Sequence, residues 1–414
     1  MLQKIKIKNC FIFKEEVLFD LTADKRNSRL AFNVHDNEFK TLKVAGIYGS
    51  NNSGKTCLIK SIKAIKSIIN KESLGQLSNF FAEDNEASRI NICFTNGNLL
   101  YEYTCEYISN SDEFIYEEFA SIKKDKYSNE KKTCLFLRDT VNSIFKCKHD
   151  KKIEEILPFL SKSNILIHSV DERQFQLINE YKNILLSFVN NLIILDMNNI
   201  SISHTFDLLK KGNNSKVKEF VKKADLYLDD LFYSDNINLE FIPEEILLNM
   251  PIEKREYVIN SLKLTSVYKG QPVPSAVFDS TGTQKLIALS SYIIEAIEEG
   301  KTLIIDELDS SLHFCLTKAI VAMFNNYLNN NAQLIFTTHD ISLLDVKHLF
   351  RKEQIWFTHK TEDKNYLYSL ANYTAKNGTR DTSDIFSKYM QGSFGGIPNP
   401  ELIEILINLT SGAK

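Results

Sequence analysis

The chain has 414 residues, 43% of them hydrophobic and 25% charged, with a net charge of −3. That is room for two or three domains, or one large domain with insertions, around a sizeable core. The charge excludes a bulk electrostatic pull toward nucleic acid or an anionic membrane, and no apolar run approaches the ~20 residues needed to span a bilayer.

Leu2 to Phe13 and Val17 to Leu21 alternate apolar and polar residues, which predicts two strands. This N-terminal stretch carries no signal-peptide pattern. The cysteines at 10, 57, 93, 105, 134, 147 and 315 stand singly, without metal spacing, as expected of reduced thiols in a cytoplasmic protein. "LKVAGIY" (42–48) is a short apolar run entering a glycine-bearing loop. From Thr56 onward, Leu58, Ile59, Ile62, Ile65, Ile68 and Ile69 follow helical spacing. "SRINICF" (88–94), an Asn96-Gly97 turn and a return strand with Leu99, Tyr101, Tyr103, Cys105 and Tyr107 on one face predict a hairpin. Further strands near 113–122, 134–138 and 143–147 extend it into an antiparallel meander. Residues 150–270 are mostly helical in pattern, broken at "KKGNNSK" (210–216), and predict an inserted helical subdomain. A helix over 286–299 ends at Gly300 and leads into the strand "TLIIDEL". Another helix precedes "AQLIFTTHD", and "EQIWFTH" predicts one more strand. The expected fold class is α/β, divided as 1–150, an N-terminal lobe with the glycine loop and meander; 151–275, the helical insertion; and 276–414, a C-terminal lobe.

"GSNNSGKT" (Gly49, Ser50, Asn51, Asn52, Ser53, Gly54, Lys55, Thr56) fits the phosphate-loop pattern G-x-x-x-x-G-K-[ST] between a strand and a helix. Its glycines let the backbone wrap a polyphosphate with successive N–H groups. Lys55 is placed to reach the β- and γ-phosphates of a nucleotide, and the Thr56 hydroxyl to ligate Mg²⁺. "KTLIIDELDSSLH" (301–313) ends a buried strand with two carboxylates. Asp306 suits the magnesium shell, and Glu307 suits the base that polarises an attacking water. That second acid points to hydrolysis rather than binding alone. "LIFTTHD" (334–340) ends another strand with His339, either a structural imidazole or a γ-phosphate sensor. "STGTQ" (Ser280, Thr281, Gly282, Thr283, Gln284) opens a long amphipathic helix. It reads either as a helix cap or as an anion-binding element over the nucleotide of a second molecule, since the chain already has its own phosphate loop.

The order GSNNSGKT, STGTQKL, LIIDELDSSLH, TTHD resembles that of ABC-type ATPase heads, in the branch holding RecF, SMC and OLD-family proteins. The resemblance implies the second reading of 280–284, a signature completing a partner's site in trans, although Ser-Thr-Gly-Thr-Gln departs from Leu-Ser-Gly-Gly-Gln. It also places Asp309 at the D-loop and calls for a Q-loop, for which Gln174 and Gln176 are candidates. "YMQGSFGGIP" (389–398) resembles the ending of a prokaryotic AAA-family ATP-binding subgroup. Its members are frequent in antiphage defence systems of the Septu, PARIS and abortive-infection kinds. The resemblance therefore implies a cytoplasmic ATPase that forms a homodimer or higher homo-oligomer through its heads. It would regulate a separately encoded effector, a nuclease or toxin. A RecF-like DNA-binding ATPase of repair or recombination is the alternative. The roughly 55 residues after "EQIWFTHK" are too few for the Toprim nuclease domain of OLD proteins, and 150–270 lack the heptads of an SMC arm. The lysines at 123, 124, 126, 131, 132, 216, 218, 222 and 223 are interleaved with acids, as in a solvated face.

Overall fold

The computed structural model describes residues 1–414 except 25, 75–76, 80–81, 84, 125–129, 172–173, 211–213, 225–226, 234–250, 252–254, 256–258, 260–261, 362–363, 378, 381–382, 396, 398–402, 404, 406–408 and 410–414. Parts of three sequence features, Lys126 of the lysine clusters, the break at 210–216 and the ending at 389–398, lie outside the described residues.

The first layer is an antiparallel meander. It comprises β1 (Leu2–Lys8), β2 (Val17–Asp20), β4 (Ser88–Asn96), β5 (Leu99–Ile108), β6 (Glu113–Lys124), β7 (Glu130–Asp139) and β8 (Ile144–Cys147), in the order β2-β1-β4-β5-β6-β7-β8. Asn96 pairs with Leu99, so the turn residues are Gly97 and Asn98, one step later than the Asn96-Gly97 expected. Gly97 at φ 59 takes the first central position, a left-handed conformation that glycine adopts without penalty. The strand predicted to run from Leu2 to Phe13 stops at Lys8, because Asn9 and Phe11 both adopt φ 51. The resulting turn folds Ile12 and Phe13 toward the phosphate loop.

The second layer is a mixed sheet in the order β16-β15-β3-β14-β13-β9. Its members are β3 (Val44–Gly49), β9 (Leu192–Asp196), β13 (Thr302–Asp306), β14 (Gln333–Thr338), β15 (Ile355–Lys360) and β16 (Asn365–Ser369). All neighbours pair in parallel except β15 with β16. Strands buried on both faces read as continuous apolar runs, and here alternate residues part between two cores. Ala45, Ile47, Ile304 and Ile335 join the core shared with the meander, with α1 (Lys55–Asn70) and with α4 (Gln176–Asn190). Val44, Tyr48, Leu303, Ile305, Leu334 and Phe336 face the opposite core, with α8 (Thr281–Glu299) and α9 (Phe314–Asn325).

Of the stretch expected to be a mostly helical insertion, residues 172–173, 211–213, 225–226, 234–250, 252–254, 256–258 and 260–261 lie outside the described residues, and the described part is helical only in places. It contains α2 (Lys151–Ile156), α3 (Leu166–Ser169), α4, α5 (Ser203–Lys210) and α6 (Asn214–Lys223). Between α4 and α5, however, β9 is an edge strand of the parallel sheet, in register with β13 from Thr302↔Leu192 to Asp306↔Asp196. A third sheet follows, of β10 (Asp230–Tyr233), β11 (Leu264–Tyr268) and β12 (Gln271–Pro274), leading into α7 (Ser275–Phe278) and α8. Among the described residues, no helix is long and apolar enough to cross a membrane.

Candidate functional site

β3 lies between β15 and β14 with every residue buried, so its carboxyl end delivers Gly49 to the middle of the sheet edge. A Cβ on Gly49 would lie 2.3 Å from Thr358 Oγ1 and 2.7 Å from Ser53 Oγ. Only glycine lets the chain turn there. Ser53 Oγ donates to the Ser50 carbonyl at 2.7 Å and lies 2.6 Å from Thr358 Oγ1, which pins the loop to β15. Gly54, at φ 112, precedes α1, and a Cβ there would meet Ile12 and Phe13 at 2.7 and 2.8 Å. No side chain caps α1, so its first N–H groups remain available to an anion. Asn51 and Asn52 are exposed, and Asn52 takes φ 60. Lys55 Nζ donates to the carbonyls of Gly49 and Ser50 at 2.9 and 3.0 Å. Burial pushes its pKa down to about 8, opposed by the charges of Glu307, Asp306 and Asp309.

The carboxylates are set by one threonine. Thr337 on β14 donates its hydroxyl to Asp306 Oδ1 at 2.5 Å and accepts the Glu307 N–H at 2.8 Å. Asp306 stays buried at the end of β13, while Glu307 turns off the strand at φ 56, a left-handed conformation rare outside glycine. Such an outlier persists where the surroundings over-determine it, and here the Leu308 N–H bonds the Thr337 carbonyl at 3.0 Å. Asp309 accepts the His339 N–H, at 3.2 Å to Oδ2. Partial burial and the Lys55 charge hold the His339 imidazole below its ordinary pKa, so the ring is neutral at pH 7.

Residues 280–284 sit apart from this cluster. Ser280 is the N-cap of α8, accepting the Thr283 N–H at 3.1 Å. Gln284 folds back, its Nε2 donating to the Asp279 carbonyl at 2.9 Å. The buried Asp279 carboxylate accepts hydroxyls from Ser266 (2.6 Å), Tyr268 (2.7 Å) and Ser275 (2.5 Å), which fastens the motif to the three-stranded sheet. Ser280 and Thr281 are exposed. A Cβ on Gly282 would lie 2.4 Å from the Ser311 carbonyl, so this glycine is required by close packing on the segment after Asp309. Among the described residues no hydrogen bond joins 280–284 to the loop at 49–56. The cap reading is thus realised within the chain, and the trans reading needs a second molecule.

One polar residue that touches this cluster was not singled out from sequence. Asn198, just past β9, donates to Glu307 Oε2 at 2.7 Å and accepts from Ser310 Oγ at 2.8 Å. Gln174 and Gln176 are exposed near the start of α4, and neither side chain bonds the loop or the acids. The amide that reaches the carboxylates from a flanking element is Asn198. Its only sequence signal is the apolar run "LIILD" ending in polar residues, as β13 and β14 also do.

The pattern of the family described as "AAA domain, putative AbiEii toxin, Type IV TA system" matches residues 44–345, more than half of the chain. The chain belongs to this AAA family. It is an ATPase of that type, with an α/β P-loop NTPase fold. Among solved structures it is similar to the SMC head domain from Thermotoga maritima, at 12% identity and a TM-score of 0.37, covering 89% of this chain and 98% of that one. It is similar too to an SMC head bound to the C-winged helix domain of ScpA, at 13% identity and a TM-score of 0.40, covering 89% and 97%. No curated protein matches the chain.

The donor set fits the implied metal. A threonine hydroxyl and a carboxylate are hard oxygen ligands of the kind Mg²⁺ takes, with phosphate oxygens completing the shell. Among the described residues no group of three or more His, Cys, Asp or Glu could hold a metal ion unaided.

Proposed function

We propose that the protein binds ATP with Mg²⁺ at Gly49–Thr56 and hydrolyses it between two copies of the chain. The carrying observation is that Lys55, Asp306, Glu307, Asp309 and His339 converge at one sheet edge beside an uncapped helix N-terminus. Loop N–H groups and Lys55 hold the phosphates, and Thr56 and Asp306 would hold the Mg²⁺, which when bound would neutralise phosphate charge. Glu307 accepts a proton from the attacking water. His339, neutral, either accepts from that water or donates to the γ-phosphate. Ser280–Gln284 of a second copy covers the same phosphate, with exposed Ser280 and Thr281 as the contacting groups. Loss of the bridging charge after hydrolysis then loosens the pair.

The pair acts as a cytoplasmic sensor that regulates a separately encoded toxin or nuclease, in defence against phage. The family's own description, "putative AbiEii toxin, Type IV TA system", supports the toxin–antitoxin setting alone; the separate effector and the phage role rest on the resemblance carried by the sequence motifs. Glu307→Gln is expected to lower kcat by about 10²–10⁴-fold and to trap an ATP-bound dimer visible by light scattering. A variant that stays monomeric with ATP and Mg²⁺ at high protein concentration sinks the closure.

A further inference from the structure

Glu307 does not stand alone on its left-handed turn. Asn198 Nδ2 donates to its Oε2 at 2.7 Å, and Ser310 Oγ donates to Asn198 Oδ1 at 2.8 Å. Lys285, on α8 directly after the Ser280–Gln284 motif, donates from Nζ to Ser310 Oγ at 3.0 Å and reaches Ser311 Oγ at 3.3 Å.

The sense of this chain is forced. An ionised carboxylate only accepts and an ammonium only donates. The Asn198 amide must therefore turn its NH₂ to Glu307 and its oxygen to Ser310, and the Ser310 hydroxyl must point away from Lys285. Each link polarises the next in one direction, from cation to anion. Both ends of the Asn198 loop are held as well. Asp196 Oδ1 accepts the Asn198 N–H at 2.9 Å, and Asp196 Oδ2 accepts the Asn199 amide at 2.7 Å. On the other side, Gly282 packs so closely on the Ser311 carbonyl that a Cβ there would lie 2.4 Å from it, which puts α8 in direct contact with the segment after Asp309.

We propose that Asn198 and Lys285 are positioning residues of the hydrolytic step. The chain Lys285–Ser310–Asn198–Glu307 makes the direction of the Glu307 carboxylate depend on where α8 sits. This rests on the reading of Glu307 as the base. Each copy then senses, through its own α8, whether its 280–284 motif is engaged by a neighbour, and aims its own carboxylate accordingly. Asn198 is exposed and Ser310 and Lys285 are partly exposed in the single chain. Cover by a second copy removes competing water and strengthens the links.

The test is steady-state ATP hydrolysis with Mg²⁺ by the full chain carrying Asn198→Ala, Ser310→Ala, Lys285→Met, Lys285→Arg and the Asn198→Ala/Lys285→Met pair. Binding of a fluorescent ATP analogue is measured alongside, with Glu307→Gln as control. Each of the first three is expected to lower kcat about tenfold, the worth of one hydrogen bond, with KM and analogue affinity within twofold of the parent. Lys285→Arg keeps a donor and restores most of the turnover. The double variant should be no slower than Asn198→Ala, because the two act through one chain. Multiplied losses in the pair, or KM rising in step with the fall in kcat, overturn the chain. Parental kcat in Asn198→Ala and Lys285→Met, where Glu307→Gln abolishes turnover, overturns the chain while leaving the base in place. Unchanged turnover in Glu307→Gln overturns the base, and the chain with it.

Discussion

Two helix N-termini in this molecule open on small residues, and they are built in opposite ways. Before α1, the chain passes through Asn52 at φ 60 and Gly54 at φ 112, and no side chain bonds the freed N–H groups. Before α8, Ser280 caps the helix and Gln284 ties the preceding turn. The first end is an electropositive cradle that a triphosphate can fill; the second has its Thr283 N–H held by its own cap and keeps Ser280 and Thr281 exposed. Small residues at a helix start are therefore ambiguous by themselves. How many backbone N–H groups remain unpaired is what separates a cradle for a whole triphosphate from a capped end that can at most cover a neighbour's phosphate.

The largest effect that would sharpen this contrast comes from Gly49→Ala. The added Cβ would lie 2.5 Å from the Thr358 carbonyl, so the loop must lift off β15. Overpacking of about 1–3 kcal/mol converts to a loss of ATP affinity of up to about 100-fold, read by calorimetric titration; unchanged affinity would show that the loop is not the cradle.

A smaller effect separates the two readings of the second end. Ser280→Asp keeps a capping oxygen, whereas Ser280→Ala loses one and about 1 kcal/mol of stability. If 280 is a cap only, the aspartate variant should match the parent in both melting temperature and turnover. If it faces a neighbour's γ-phosphate, turnover in the aspartate variant should fall at least about tenfold by charge repulsion while its melting temperature holds.

The smallest effect is on pH. Lys55, lowered to about 8, carries its charge below that pH and loses it above. A bound triphosphate favours the protonated form, so ATP binding near pH 8 should take up a proton, and affinity should begin to weaken as pH rises past about 8. Calorimetry in two buffers of different ionisation enthalpy measures that uptake; heats independent of buffer would place the proton elsewhere.

Much of the site was legible because its parts are short and contiguous. GSNNSGKT, the Asp306-Glu307 pair and His339 each end a run of apolar residues, and a buried parallel strand must deliver whatever follows it to one edge of the sheet. The meander was legible for a related reason: its alternation of period two survives in β4 and β5, where one face is core. The region after Asp150 was harder. "LIILD" is five residues long, and a short apolar run suits a buried strand or a helix turn equally. Gln174 and Gln176 drew attention by residue type, while the amide that reaches Glu307 belongs to Asn198, 109 residues away in the chain.

The amino-acid sequence alone determined which groups can meet a phosphate, because glycine spacing, an adjacent lysine and paired acids are local and need only a strand before and a helix after. The tertiary structure decided which distant groups attend them. Parallel pairing of β9 with β13 sets Asn198 beside Glu307, and close packing of Gly282 on Ser311 ties α8 to the same turn. Strand order and helix contact arise from burial summed over the whole core, and no local stretch of residues encodes that sum.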